Sequence, residues 1–172
     1  MNLTEVEYTR NLDATLRQMA ETGLLLSSMA PEQPPKPNVM TIGWGNVGIL
    51  WGRPVFTVYV RPSRFTFGCI EASDEFVVSV PTEQMRDVCM EAGSLSGRDV
   101  DKFARLGLTA LEAAKVGAPL IGECVRHYEC RVIHCNDVVD AEIDPAARAD
   151  FYPEGNLHRI YYGQILRVTE KE

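Results

Sequence analysis

Residues 36–71, KPNVMTIGWGNVGILWGRPVFTVYVRPSRFTFGCIE, hold the reading that decides the fold. The run at 39–46 predicts a strand, and alternation along a strand divides it into two faces. Met40, Ile42 and Trp44 form a bulky face that requires a core, whereas Thr41, Gly43 and Gly45 form a face with almost no side chain. Glycine inside a strand gives up packing and marks close approach by a ligand or by other backbone. The small face therefore fits a flat ligand lying on exposed backbone, or a bulge or barrel corner.

Downstream the stretch becomes cationic. An apolar strand is predicted at 55–60, followed by Arg61-Pro62-Ser63-Arg64-Phe65-Thr66. Ser63 reads as a helix N-cap, with Phe65/Cys69 and Phe67/Ile70 at helical spacing behind it. A helix start presents unpaired N–H groups and the positive end of its dipole. Arg61, Ser63, Arg64 and Thr66 at such a point suit a phosphate, because charge-assisted hydrogen bonds are the strong ones. The competing reading is an ordinary cap beside two solvated arginines. Together the two halves describe a site for a flat ring with a phosphate tail.

The segments NVMTIGWGNVGILWGRPVFTVYVRPSRFT, EFVVSVP, SGRDVDKF and IYYGQIL, in that order, resemble the flavin reductase and flavoredoxin family of FMN-binding split barrels. The resemblance runs from Gly23 to Val168. It implies a mainly β fold, an antiparallel Greek-key split barrel of about six strands with peripheral helices. It implies FMN rather than FAD as cofactor, NAD(P)H or a protein carrier as electron donor, and a homodimer with the flavin near the subunit interface. Asn38, Thr41, Gly43 and Trp44 are expected along the ring, and Arg61, Ser63, Arg64 and Thr66 at the phosphate. Ser96, Gly97, Lys102 and Phe103 stand where the family motif has them beside the flavin. Lys102, Phe103 and His158 are expected on the open side, where a donor or acceptor approaches. Gln164 stands where the family commonly has glutamate. The implied activity is flavin-dependent reduction, in which the cofactor carries the chemistry, so no acid–base pair or nucleophile is expected. Two alternatives stay open: a non-enzymatic FMN electron relay, and a split barrel that has lost flavin for another ligand.

The rest of the chain is consistent with that frame. Its 172 residues suffice for one domain with its own core. A net charge of −7 without a basic block argues against nucleic acid or an anionic membrane as partner. No apolar run reaches the roughly 20 residues of a membrane span. Glu5, Glu7 and Asp13 do not suit a signal peptide. Five cysteines in irregular spacing fit a reducing cytoplasm.

Residues 5–20 predict an amphipathic helix with Leu12, Leu16 and Met19 on one face and an Asp13/Arg17 pair on another. Gly23 ends it, residues 24–29 predict a strand, and four prolines make 31–37 a loop. Residues 75–80 predict a buried strand, and Thr82 starts a helical stretch to about Glu91. Ser96 with Asp99 has capping-box spacing, predicting a short helix. Short helix is also expected at 111–115, strand at 123–139 and a final strand at 158–168.

Three cysteines and two histidines between Cys124 and Cys135 raise zinc as an option. Strand alternation places Cys124, Cys130 and His134 on one face and His127 and Cys135 on the other, so no metal site is expected. Gly43-Trp44-Gly45-Asn46-Val47-Gly48 matches the dinucleotide glycine pattern formally, but it opens no helix.

Overall fold

Ile42 and Gly45 are three residues apart in the chain and lie on opposite edges of one sheet. The computed structural model describes residues 2–172. Its strands are β1 (Leu3–Glu5), β2 (Leu24–Ala30), β3 (Lys36–Ile42), β4 (Gly45–Leu50), β5 (Arg53–Val60), β6 (Glu75–Val80), β7 (Ala110–Leu111), β8 (Leu120–Ile121), β9 (Arg126–Asp137) and β10 (Arg159–Lys171). The helices are α1 (Leu12–Glu21), α2 (Phe65–Ser73), α3 (Arg86–Ser94), α4 (Lys102–Leu106) and α5 (Pro145–Phe151). The main sheet is antiparallel, ordered β3-β2-β6-β9-β10-β5-β4, with β1 also pairing β10. Gly43 and Trp44 alone connect the two end strands, so the edges approach within about 11 Å at ~3.6 Å per residue step. The sheet thus curls into a barrel whose seam stays unpaired, the split of a split barrel.

The 39–46 run is therefore two strands meeting at a corner. β3 stops at Ile42 because β2, its partner, begins at Leu24 opposite Ile42. Gly45 opens β4, where a Cβ would lie 2.8 Å from the Thr57 carbonyl oxygen and 3.1 Å from Met19 Sδ. Only glycine fits that approach. The bulky face predicted for Met40, Ile42 and Trp44 breaks at the same corner: Ile42 is in the core, Met40 is half-buried and Trp44 is 40% exposed.

The barrel interior is filled from alternate positions of every long strand, among them Leu24, Leu26, Phe56, Val58, Phe76, Val78, Tyr128, Cys130, Tyr161 and Ile165. Gly163 of β10 permits the tightest point, since a Cβ there would overlap the Phe76 ring. A β-bulge interrupts the β9–β10 ladder between Tyr162 and Gly163. It adds a residue to β9 and reverses its alternation. Cys135 then packs with Cys130 on the core side, while His134 lies outside against Trp51 and Tyr162. The alternation expected for Cys130, His134 and Cys135 is corrected by that bulge. Among the described residues no three His, Cys, Asp or Glu side chains converge as metal ligands.

Outside the barrel, α3 and α4 cover β2 and β3 through Leu25, Val39, Cys89, Ala92 and Phe103. The small β7–β8 hairpin and the loop within it cover Val77 through Val116, Ala118 and Leu120. The short helix expected at 111–115 is absent because Ala110 and Leu111 pair with Ile121 and Leu120 instead. At the N-terminus the helix expected from Glu5 begins at Leu12, the chain before it adding β1 to the edge of β10. Its buried face is Thr15 and Met19, while Leu16 is 38% exposed.

Two caps also differ from expectation. Arg64, not Ser63, precedes α2, and no side chain caps it. Residues 96–100 form a turn, with Arg98 N–H donating to Ser96 Oγ, and Asp101 rather than Ser96 caps the helix that follows. α5, in a region given no assignment from sequence, starts with Asp144 accepting from Ala146 and Ala147 N–H and with Pro145 in its first turn.

Candidate functional site

Along β3 and the corner at Gly43–Trp44 runs a cleft of three adjoining recesses. The first, about 220 Å³, is lined by residues 40–44 at the corner, by Tyr59 and Arg61 of the β5 end, and by Arg64 and His158. Thr41, Gly43, Trp44, Arg61 and His158, all singled out from sequence, meet here. Ring-shaped walls dominate: Trp44 packs on His158 at 5.0 Å between centroids, and Tyr59 lies edge-on to the same imidazole. His158 Nδ1 is hydrogen-bonded to Tyr152 Oη at 2.8 Å. Burial lowers the His158 pKa to about 4, with help from the positive Arg61 and Arg64 nearby, so the imidazole is neutral at pH 7.

Met40 and Arg64 lead into the second recess, between the start of α2 and the 93–98 segment. Ser63, Thr66, Ser96, Gly97 and Lys102 line it, with Arg98, which the sequence reading passed over. Arg98 lies over the Phe65 ring at 5.6 Å and donates to the Ser63 carbonyl oxygen at 3.0 Å. Its signal was its place between two residues of the SGRDVDKF segment already chosen. Lys102, expected on the open side, belongs to this end. It is 4% exposed, and its Nζ donates to the Ala92 carbonyl at 2.7 Å. Among the described residues no carboxylate stands within ion-pair distance of it. Burial, followed by the positive charge of Arg64, lowers its pKa to about 8.

The third recess continues past Phe65, Gly97, Arg98 and Lys102 to Asn38 and Lys36. Asn38 is 3% exposed, and its Nδ2 donates to Thr66 Oγ1 at 2.9 Å and to Ser28 Oγ at 3.3 Å. Its Oδ1 is buried without a donor. Gly97 is the residue that makes room there, because a Cβ would strike Asn38 Oδ1 and the Phe65 ring. Asn38 thus lines the third recess, apart from Thr41, Gly43 and Trp44 in the first. Phe103, expected on the open side, is a core residue facing Leu25 and Val39 and lines none of the three recesses.

Two other expected residues are already engaged within the protein. Ser63 Oγ accepts from Asn156 Nδ2 at 2.8 Å. Arg61 donates to the carbonyl oxygens of Phe151 at 2.8 Å and Asn156 at 3.3 Å.

The model of the flavin reductase like domain matches residues 16–172. The chain belongs to that family. It is 35% identical over 134 residues to an uncharacterized protein of Archaeoglobus fulgidus, covering 78% of this chain and 66% of the relative. The chain thus spans about two thirds of that relative's length. Among solved structures it is similar to the flavoredoxin of Desulfovibrio vulgaris (Miyazaki F), with TM-score 0.68 and 25% identity over 87% of this chain and 69% of that one. The FMN-binding domain of a flavin reductases-like enzyme from Shewanella baltica OS155 shares the fold, with TM-score 0.68 and 21% identity over 98% of this chain and 77% of its own. The mainly antiparallel β-barrel with outer helices and an open seam is the split barrel of these structures. Among the described residues no helix is long and apolar enough to cross a membrane.

Proposed function

We propose that this flavin reductase-like chain binds FMN in the cleft along β3 and passes electrons through it, from NAD(P)H or a protein carrier to an acceptor. The observation that carries the reading is a pair of buried polar groups where the second and third recesses meet, one without a counter-charge and one without a donor. Lys102 is a buried cation with only a carbonyl for partner, and Asn38 Oδ1 is a buried acceptor without a donor. A ligand that answers both needs an anion and a hydrogen-bond donor close together, and a ribityl phosphate has both. Leaving such groups unanswered costs about 1–3 kcal/mol each.

When bound, FMN supplies one- and two-electron chemistry that no side chain provides. The residues of this chain then hold, orient and shield. Arg64, Arg98 and Lys102 take the phosphate charge, and the backbone at 41–44 lies along the ring. Neutral His158, held by Tyr152, and Trp44 form the wall on the approach side. No proton-transfer pair is required at the recess, and His158 stays uncharged across the neutral range. We further propose a homodimer, supported by the β4–β5 hairpin, which presents Ile49 at 60% exposure on the edge strand β4 and Trp51 at 68% in the turn after it.

Expression with FMN followed by purification and light scattering tests both. A yellow dimer whose colour is bleached by NADH or NADPH in air-free buffer is expected. Colourless protein that takes up no FMN would overturn the reading. Flavin bound but untouched by either nicotinamide would leave a protein carrier as the donor.

A further inference from the structure

Residues 139–157 leave the sheet after Val138 and return at His158, and a backbone bond from Val138 N–H to the His158 carbonyl oxygen, 2.9 Å, closes the neck. Within this excursion α5 buries none of its residues, and Tyr152 just after it is the one side chain in 139–157 that is buried, at 7% exposure. The Arg148–Asp140 pair and the Asp144 cap join parts of the excursion to each other and do not fasten it to the barrel. Apolar burial therefore holds the excursion against the ring recess at Tyr152 alone, and leaves the rest of it to other contacts.

Polar groups at the end of β5 provide those contacts. Arg61 spends both terminal nitrogens on the excursion, donating to the Phe151 and Asn156 carbonyl oxygens, and its guanidinium stands over the Tyr152 ring at 5.1 Å. Asn156 adopts a left-handed backbone, φ 54°, directly after Gly155 at φ 78°. That turn aims its Nδ2 back at Ser63 Oγ. Phe151 so held sits edge-on to Trp44 at 5.2 Å, and Tyr152 bonds His158. Both Trp44 and His158 line the ring recess.

We propose that Arg61 is the latch of this strap rather than an anchor for a tail phosphate. The strap it fastens is the wall that decides which donor or acceptor reaches the ring. The second half rests on the flavin reading, whereas the latch itself does not. Arg61 acts through the strap and is a positioning residue. Arg64, three residues on, donates only to the Gly93 carbonyl oxygen, at 3.4 Å, and is the arginine left for the phosphate.

The two arginines separate in paired measurements on the full chain. In limited digestion without flavin, R61A should be cut within 139–157 about tenfold faster than wild type, the loss expected for one charge-assisted bond. R64A should be cut at the wild-type rate. R61K keeps the charge and the stem but not the planar fork, so it should be cut faster as well, and it serves if R61A does not fold. Cleavage of R61A and R61K at the wild-type rate would overturn the latch. With flavin present, the folded Arg61 variant should keep the wild-type ratio of FMN to riboflavin affinity, while iodide quenches the bound flavin more strongly. R64A should lose the ratio and keep the shielding. A lost ratio in the Arg61 variant, or unchanged quenching, would overturn the assignment. Failure of the wild type to bind any flavin would sink the proposed function and leave digestion to decide the latch.

Discussion

Two cations are buried in this protein to nearly the same depth, Arg126 at 3% exposure and Lys102 at 4%. Arg126 is answered at both terminal nitrogens, by Glu170 at 2.8 Å, Thr15 Oγ1 at 2.8 Å and the Asn11 carbonyl oxygen at 3.2 Å, and only its Nε goes without a partner. Those contacts tie α1 across the end of the barrel to β10. Lys102 has one carbonyl. A buried charge is tolerated when the fold answers it, as at Arg126. One the fold leaves to a single carbonyl, as at Lys102, is where the proposed function puts the ligand's anion. The difference separates a residue that holds the barrel together from one that the proposed function assigns to an anion.

Removing each cation should have opposite consequences. Arg126→Met should cost about 3 kcal/mol of stability, since the buried guanidinium's bonds to Glu170, Thr15 and Asn11 are lost together. FMN affinity of the folded protein should stay within about twofold, because the site lies elsewhere. Chemical denaturation and flavin titration check the two halves. A destabilisation under about 1 kcal/mol would place Arg126 among the weak surface pairs and break the comparison.

His127 tests what an unsatisfied atom means where no recess exists. It is fully buried, with Nδ1 bonded to Ser79 Oγ at 2.9 Å and Nε2 without a partner. Its β10 neighbour Thr169 likewise has a buried, unpartnered hydroxyl. Burial first, then the charge of Lys171, lowers the His127 pKa from 6.5 to about 4. Between those values the unfolded chain takes up a proton that the native protein refuses, so stability is full above pH 6.5 and is lost as pH falls towards 4. At 1.36 kcal/mol per pKa unit the loss is about 3 kcal/mol, and His158, which borders an open recess, adds a smaller loss in the same direction. H127Q should remove its share in unfolding measurements at pH 7 and pH 4.5, with no change in flavin affinity. An unchanged pH slope would mean that the imidazole is protonated in the native state.

Lys102→Met should give the smallest effect on stability and a selective one on binding. Stability should stay within about 1 kcal/mol or rise, because the desolvation cost of the ammonium disappears. FMN affinity should fall about 10- to 150-fold, the worth of a charge-assisted contact of about 1.5–3 kcal/mol, and riboflavin affinity should hardly move. Wild-type FMN affinity should also decline as pH rises through about 8, where free Lys102 gives up its proton, and the variant should lack that decline. Equal losses for the two ligands would leave Lys102 a mere packing residue.

Legibility from sequence followed the local strength of the signal. Strands β2, β5 and β6 are short apolar runs bounded by glycine, proline or charge, and the sequence reading places them to within two residues. The corner at Gly43–Trp44 was invisible as a break because alternation continues through it. What ends β3 is the limit of its pairing with β2, a property of another segment. The bulge in β9 escaped for the same reason, since it is defined by β10. Thirteen candidate residues were named from the residues and the resemblance, and most come together in the cleft. Phe103 did not, because helical phase in a helix as short as α4 is set by its Asp101 cap and not by the motif around it. Arg98 was missed for want of any local pattern that distinguishes a guanidinium stacked on Phe65 from a solvated one.

The closed neck at Val138 and His158 also governs how this chain tolerates changes in length. Residues 139–157 behave as a parenthesis in the sequence: the ends of the excursion already meet, so adding or deleting residues inside it leaves the pairing of β9 with β10 untouched. The cost of a longer loop grows only with the logarithm of its length, about 0.6 kcal/mol per doubling. Barrel and cleft wall are thereby uncoupled. A graft of a foreign segment between Val138 and His158 can alter the company the ring recess keeps without asking the eight-stranded sheet to be folded anew.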